Sequence, residues 1–139
     1  MAEVVLAEGE GASGLASMVA TLLAQNVERS REKFEDFRRL SAEVVIEVAD
    51  LGQSVTLSFD RDRCTVHSRS TGRPTIALRT DSETFMALGQ IRIGPLGLPN
   101  YLDAPGRAVL RAMVSGRLRI HGLRHLRTLN RVTRLFSVA

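Results

Sequence analysis

The stretch Ser41-Ala42-Glu43-Val44-Val45-Ile46-Glu47-Val48-Ala49-Asp50-Leu51-Gly52-Gln53-Ser54-Val55-Thr56-Leu57-Ser58-Phe59-Asp60 decides the fold. Its apolar residues recur at every second position: Val44, Ile46 and Val48, then Val55, Leu57 and Phe59. Side chains alternate between faces along a strand, so a period of two gives each strand one greasy face. Asp50-Leu51-Gly52 supplies a tight turn between them. A second turn, Asp60 to Arg63, leads into Cys64-Thr65-Val66-His67-Ser68, and Ser70-Thr71-Gly72-Arg73-Pro74 precedes alternating Ile76 and Leu78. Short strands joined by such turns predict an antiparallel meander with its second face wet.

Upstream the period changes. Leu15, Met18, Val19, Leu22 and Leu23 are spaced as one face of a helix, and Val27, Phe34, Phe37 and Leu40 carry the stripe onward. This predicts one long helix or two in tandem. Residues 1–13, rich in Gly and Glu toward Gly9-Glu10-Gly11-Ala12-Ser13, read as a flexible arm, and 14–139 as a single domain.

Downstream, Thr80-Asp81-Ser82-Glu83 has the form of a capping box opening a helix through Thr84 to Leu88. Two glycines and two prolines break the apolar run Ile91 to Leu102 and forbid a regular helix through most of it. Asp103 and Pro105 suit the start of another helix, with Val109, Leu110, Met113 and Val114 as its inner face and Gly116 as its end. Arg117 to His121 reads as a fifth strand. The final helix, about Leu123 to Phe136, sets Arg124, Arg127, Arg131 and Arg134 in one sector and Leu126, Leu129, Val132 and Phe136 roughly opposite. Helix, four strands, helices, strand, helix is an α+β order.

Length and composition bound the function. The 139 residues, 44% apolar and 24% charged, suit one globular domain. One cysteine excludes an internal disulfide and a thiolate metal cage. No apolar run approaches the roughly 20 residues needed to span a bilayer, and the acidic start is unlike a secretory signal, so the expected setting is cytoplasmic. Charge is lopsided: eight arginines and no acidic residue follow Asp103, although the net charge is only +4. An anionic partner for this third and a merely solvated helix face are both compatible with that asymmetry.

A search for chemistry finds no constellation. Cys64 and His67 stand three apart on a strand and point to opposite faces, so they cannot form a dyad. His121 and His125 have metal-ligand spacing, but Gly122 separates them and no carboxylate completes the set. Asp60 and Asp62 belong to a turn, Glu35 and Asp36 to a helix laced with Arg and Lys. The glycines form neither a phosphate loop nor a dinucleotide fingerprint. Nucleic acid is disfavoured because the chain has no tryptophan and a single tyrosine, Tyr101, to stack on bases. The expectation is a protein without catalytic residues, cofactor or metal.

The segment Pro74 to Leu88, a strand ending in a small or acidic cap that opens a helix, resembles the sterol carrier protein type-2 (sterol-transfer) family. The tail Met113-Val114-Ser115-Gly116-Arg117-Leu118-Arg119-Ile120-His121-Gly122, followed by an amphipathic helix ending Leu135-Phe136, is similar to that family's closing strand and helix. The resemblance spans about residues 15 to 137. It implies a five-stranded, mostly antiparallel sheet with helices on one face, enclosing an apolar tunnel. It implies binding or transfer of a sterol, fatty acid, acyl-CoA or phospholipid without covalent chemistry, in some members to present a lipophilic intermediate to an enzyme. The walls available for such a ligand are Phe85, Met86, Leu88, Ile91, Ile93, Leu96, Leu98, Leu102, Val109, Leu110, Met113, Leu126 and Leu129, although the same residues could simply fill a core. Arg124, Arg127, Arg131 and Arg134 would then meet anionic head groups or a membrane transiently. The alternative is an interaction or accessory module without a ligand, docking through the first helix or the basic last one. The Leu15 to Leu23 stripe would also serve a homodimer.

Overall fold

A computed structural model describes residues 3–69, 74–90, 104–122 and 124–136. In chain order the elements are β1 (Glu3–Leu6), α1 (Gly14–Arg29), α2 (Arg31–Arg38), β2 (Ser41–Val48), β3 (Gln53–Asp60), β4 (Arg63–His67), β5 (Ile76–Thr80), α3 (Ser82–Gln90), α4 (Ala104–Ser115), β6 (Arg119–His121) and α5 (Leu126–Phe136). The strands form one six-stranded sheet in the order β1-β4-β3-β2-β5-β6.

The meander is present: β2 pairs with β3 and β3 with β4, both antiparallel, and β5 pairs with β6 antiparallel. The expected five-stranded, mostly antiparallel sheet is nevertheless corrected to six strands of mixed direction. Strand β5 lies parallel on the free edge of β2, with Val44 opposite Ile76 and Ile46 opposite Leu78. The sixth strand comes from the stretch read as an arm. Glu3 to Leu6 run parallel to β4, from Glu3 opposite Arg63 to Leu6 opposite Val66. Four residues are too few to show a period, and turn-like glycines follow them at once.

The inner face collects the apolar set of every strand: Val44, Ile46 and Val48, then Val55, Leu57 and Phe59, then Cys64, Val66 and Ile76. Leu15, Val19, Leu23 and Val27 of α1 cover it and join the same core. Most of that stripe is therefore consumed by the fold, while Met18 stays 48% exposed. Phe37 of α2 meets Phe59 edge to face, with ring centroids 5.8 Å apart.

Helix boundaries follow local hydrogen bonding. The tandem reading holds, because Ser30 takes an extended backbone, ends α1, and accepts the Lys33 N–H with its hydroxyl to start α2. At α3 the cap is Asp81, not Thr80. Thr80 is still paired with Val48 in the ladder, so the helix starts a residue later and the Asp81 carboxylate accepts the Thr84 N–H at 2.7 Å. The last strand is shorter than expected, and α5 starts at Leu126 after His125 accepts the Leu129 N–H. Gly122, between them, has φ of +94°, and a Cβ there would collide with the Thr75 carbonyl. Only glycine fits this passage of β6 across the start of β5.

Candidate functional site

Between the right-hand half of the sheet and the helices lies a cavity of about 80 Å³. Its floor is Val44 and Ile46 of β2, Ile76 and Leu78 of β5, and Ile120 of β6. These stand side by side because the ladders put Val44 beside Ile76, and Ile46, Leu78 and Ile120 in one row. Leu22 of α1, Phe85 of α3, and Leu129, Val132, Thr133 and Phe136 of α5 close it from above. Thr133 is the one polar residue of the lining, and its hydroxyl donates to the Leu129 carbonyl at 2.9 Å. The chamber thus offers alkyl and aromatic surface and no hydrogen-bonding group in need of a partner. An engineered cavity of roughly 150 Å³ takes benzene, so this one, as closed here, has room for only part of an alkyl chain.

The roof is held at one end. The Asn26 amide donates to the Leu135 carbonyl at 2.8 Å, and the Lys33 ammonium to the Arg134 carbonyl. A cation at a helix C-terminus is favourable with the helix dipole as well as with the open carbonyls. Burial holds the Lys33 pKa below its ordinary value, partly opposed by Asp36 and Glu32. Arg134 then makes a two-pronged pair with Asp36 of α2, Nε to Oδ2 at 2.9 Å and Nη2 to Oδ1 at 2.8 Å. Behind the cavity, Val109 and Ala112 of α4 pack with Leu118 against Leu78 and Ile120, two residues that also line it.

Of the walls named from sequence, Phe85 and Leu129 line the cavity. Val109 is buried, but in the adjoining cluster. Met86, Leu110, Met113 and Leu126 face solvent, Met86 at 66% exposure. The Leu88 side chain and residues Ile91, Ile93, Leu96, Leu98 and Leu102 lie outside the described residues. The wall residues that the sequence did not single out are mostly on strands: Val44, Ile46, Ile76, Leu78 and Ile120. Their alternation marks them as inward, but nothing in it says which inward residues meet a void. Arg124 and Arg127 are exposed, whereas Arg134 is engaged by Asp36 and Arg131 donates to the Arg39 carbonyl at 3.4 Å.

The titratable candidates stay apart. Cys64 is buried on the inner face, and burial pushes its thiol up to about 12. His67 lies on the same strand with the opposite orientation, only partly buried. His125 accepts from the Arg124 guanidinium at 3.3 Å. Among the described residues no group of three His, Cys, Asp or Glu side chains could hold a metal ion, and no helix is long and apolar enough to cross a membrane.

The sequence profile of the SCP-2 sterol transfer family matches residues 20–98. No curated protein matches the chain. Among solved structures, one described as "UbiJ-SCP2 Ubiquinone synthesis protein" is similar with a TM-score of 0.61 and 16% identity, over 88% of this chain and 92% of that one. Another, a sterol carrier protein 2, gives a TM-score of 0.51 and 12% identity, over 84% of this chain and 88% of that one.

Proposed function

The chain belongs to the SCP-2 sterol transfer family, and from that premise we propose that it binds the apolar part of a lipid-like ligand between sheet and helices, without covalent chemistry. The observation that carries this reading is the chamber lined by ten apolar side chains and one internally satisfied threonine. A sterol, acyl chain or phospholipid tail gains about 0.8 kcal/mol per buried methylene there and needs no polar partner. At about 80 Å³ the chamber takes only part of such a ligand, and would widen to a tunnel to take it whole. The far end of α5 is tied to α1 and α2 and the start of α3 to Asp50, which leaves the start of α5 as the wall that would move. The apolar surroundings of Cys64, which keep its thiol protonated at neutral pH, favour binding over nucleophilic chemistry.

A narrower version is an accessory carrier that hands a lipophilic intermediate to an enzyme in the cytoplasm. The similar structure titled a ubiquinone synthesis protein supports it. Docking of a ligand-free module through the basic last helix is less favoured, since Arg131 and Arg134 are engaged by α2.

Purified protein extracted with organic solvent and analysed by mass spectrometry is expected to release a stoichiometric lipid. A fluorescent fatty acid should bind the emptied protein, and Leu129→Trp, which fills the chamber, should weaken it at least about tenfold while the circular dichroism spectrum stays unchanged. An empty protein that ignores fatty acids, sterols and polyprenyl quinones alike would sink the proposal.

A further inference from the structure

Helix α4 packs on α3 and meets Leu78 and Ile120 of the sheet through a narrow seam, Val109 and Ala112. Three more of its large apolar side chains stand in solvent: Leu110, Met113 and Val114, the last at 89% exposure. Arg107, Leu110, Arg111 and Val114 are spaced i, i+3, i+4 and i+7, so they share the outward face, and all four are exposed. Within α4 and in everything after it the sequence has no acidic residue. A solvated helix face would carry charges of both signs and little large apolar surface. This one interleaves arginines with aliphatic side chains.

We propose that this face of α4 docks the protein on an anionic lipid surface, with Leu110, Met113 and Val114 at the acyl boundary and Arg107 and Arg111 on the lipid phosphates. Charge complementarity selects that occupant. A second copy applied to the same face would bring Arg107 and Arg111 against their own kind, whereas anionic head groups attract both and leave a hydrocarbon layer for the aliphatic residues. The surface differs from the arginine stripe of α5, half of which is engaged by α2. The opposite, buried side of α4 packs on Leu78 and Ile120, which line the cavity. The docking does not depend on what the cavity holds.

The chain contains no tryptophan, so Val114→Trp introduces a single reporter at a site with ample room. With vesicles containing phosphatidylglycerol its emission is expected to shift to the blue, with no shift on pure phosphatidylcholine. Gln25→Trp, exposed on α1, should stay solvated throughout. Adding Arg107→Glu and Arg111→Glu to Val114→Trp should weaken binding to the anionic vesicles at least about tenfold. Because all these positions are on the surface, an unchanged thermal midpoint will verify the fold. Three results would overturn the proposal: emission of Val114→Trp that stays solvated on anionic vesicles, binding indifferent to the two charge reversals, or a blue shift that follows protein concentration without lipid and so reports a second copy. None of them bears on lipid extraction from the cavity, which is measured without vesicles.

Discussion

Cys64 shows how placement decides chemistry for a single side chain. Alternation along β4 turns it inward, where it is buried and its thiol is raised from an ordinary 9.0 to about 12. In the unfolded chain the thiol ionises near its ordinary value, and in the folded chain it does not. The contribution is therefore complete below about pH 9 and is lost as pH rises toward about 12. The stability advantage of wild type over Cys64→Ala should shrink by about 1 kcal/mol between pH 8 and pH 10, measured by urea unfolding. At pH 8 the native thiol should resist an aromatic disulfide reagent that modifies it promptly in urea. Rapid labelling of the native protein would show that the site is open. The inward position was readable from sequence, since the strand period alone supplies it. The depth of burial was not, because it depends on α1 lying over that part of the sheet.

At the scale of elements, α5 illustrates a pattern whose meaning depends on its neighbours. Its arginine sector is plain in the sequence, and a solvent- or membrane-facing stripe is the natural reading of it. The structure divides that sector. Arg134 is partly buried against Asp36, and Arg131 reaches the end of α2, while Arg127 is exposed. Asp36 lies ninety-eight positions earlier in the chain, so no local pattern could have paired them. Asp36→Ala strips a half-buried guanidinium of its carboxylate and should cost about 2 kcal/mol. Arg127→Gln should cost less than about 0.5 kcal/mol. Comparable thermal midpoints for the two variants would show that the Asp36 pair contributes nothing to holding the roof of the cavity.

For the whole molecule, the six-stranded order makes the first residues structural. Val4 and Leu6 pack against the core, the Ala7 N–H donates to the Val66 carbonyl at 2.9 Å, and Glu3 pairs with Arg63 at 3.1 Å. The exposed Glu3–Arg63 pair adds little, so the strand is held by its ladder and two aliphatic side chains. Removal of residues 1–7 should lower stability by about 3 kcal/mol and expose the edge of β4 to pairing between molecules. Chemical denaturation and light scattering would register both effects. A truncated protein that unfolds at the same denaturant concentration and stays monomeric would assign β1 no part in the fold.

The sequence alone determined the class of fold, the inward set of each meander strand, a tandem pair of helices as one of two options, and two residues of the candidate site, Phe85 and Leu129. These are local properties: side-chain alternation, helical spacing and capping act within a few residues and leave a mark at that range. Tertiary structure alone decided the parallel pairings of β1 and β5, the row Ile46-Leu78-Ile120 that floors the cavity, and the engagement of Arg134 by Asp36. It also turned Met86, Leu110 and Met113 outward, where the sequence had placed them against a ligand. An apolar side chain on a helix shows only that some surface must cover it or be met by it. Whether that surface is a core, a void or a bilayer follows from how distant segments pack, and the helical period does not encode the partner.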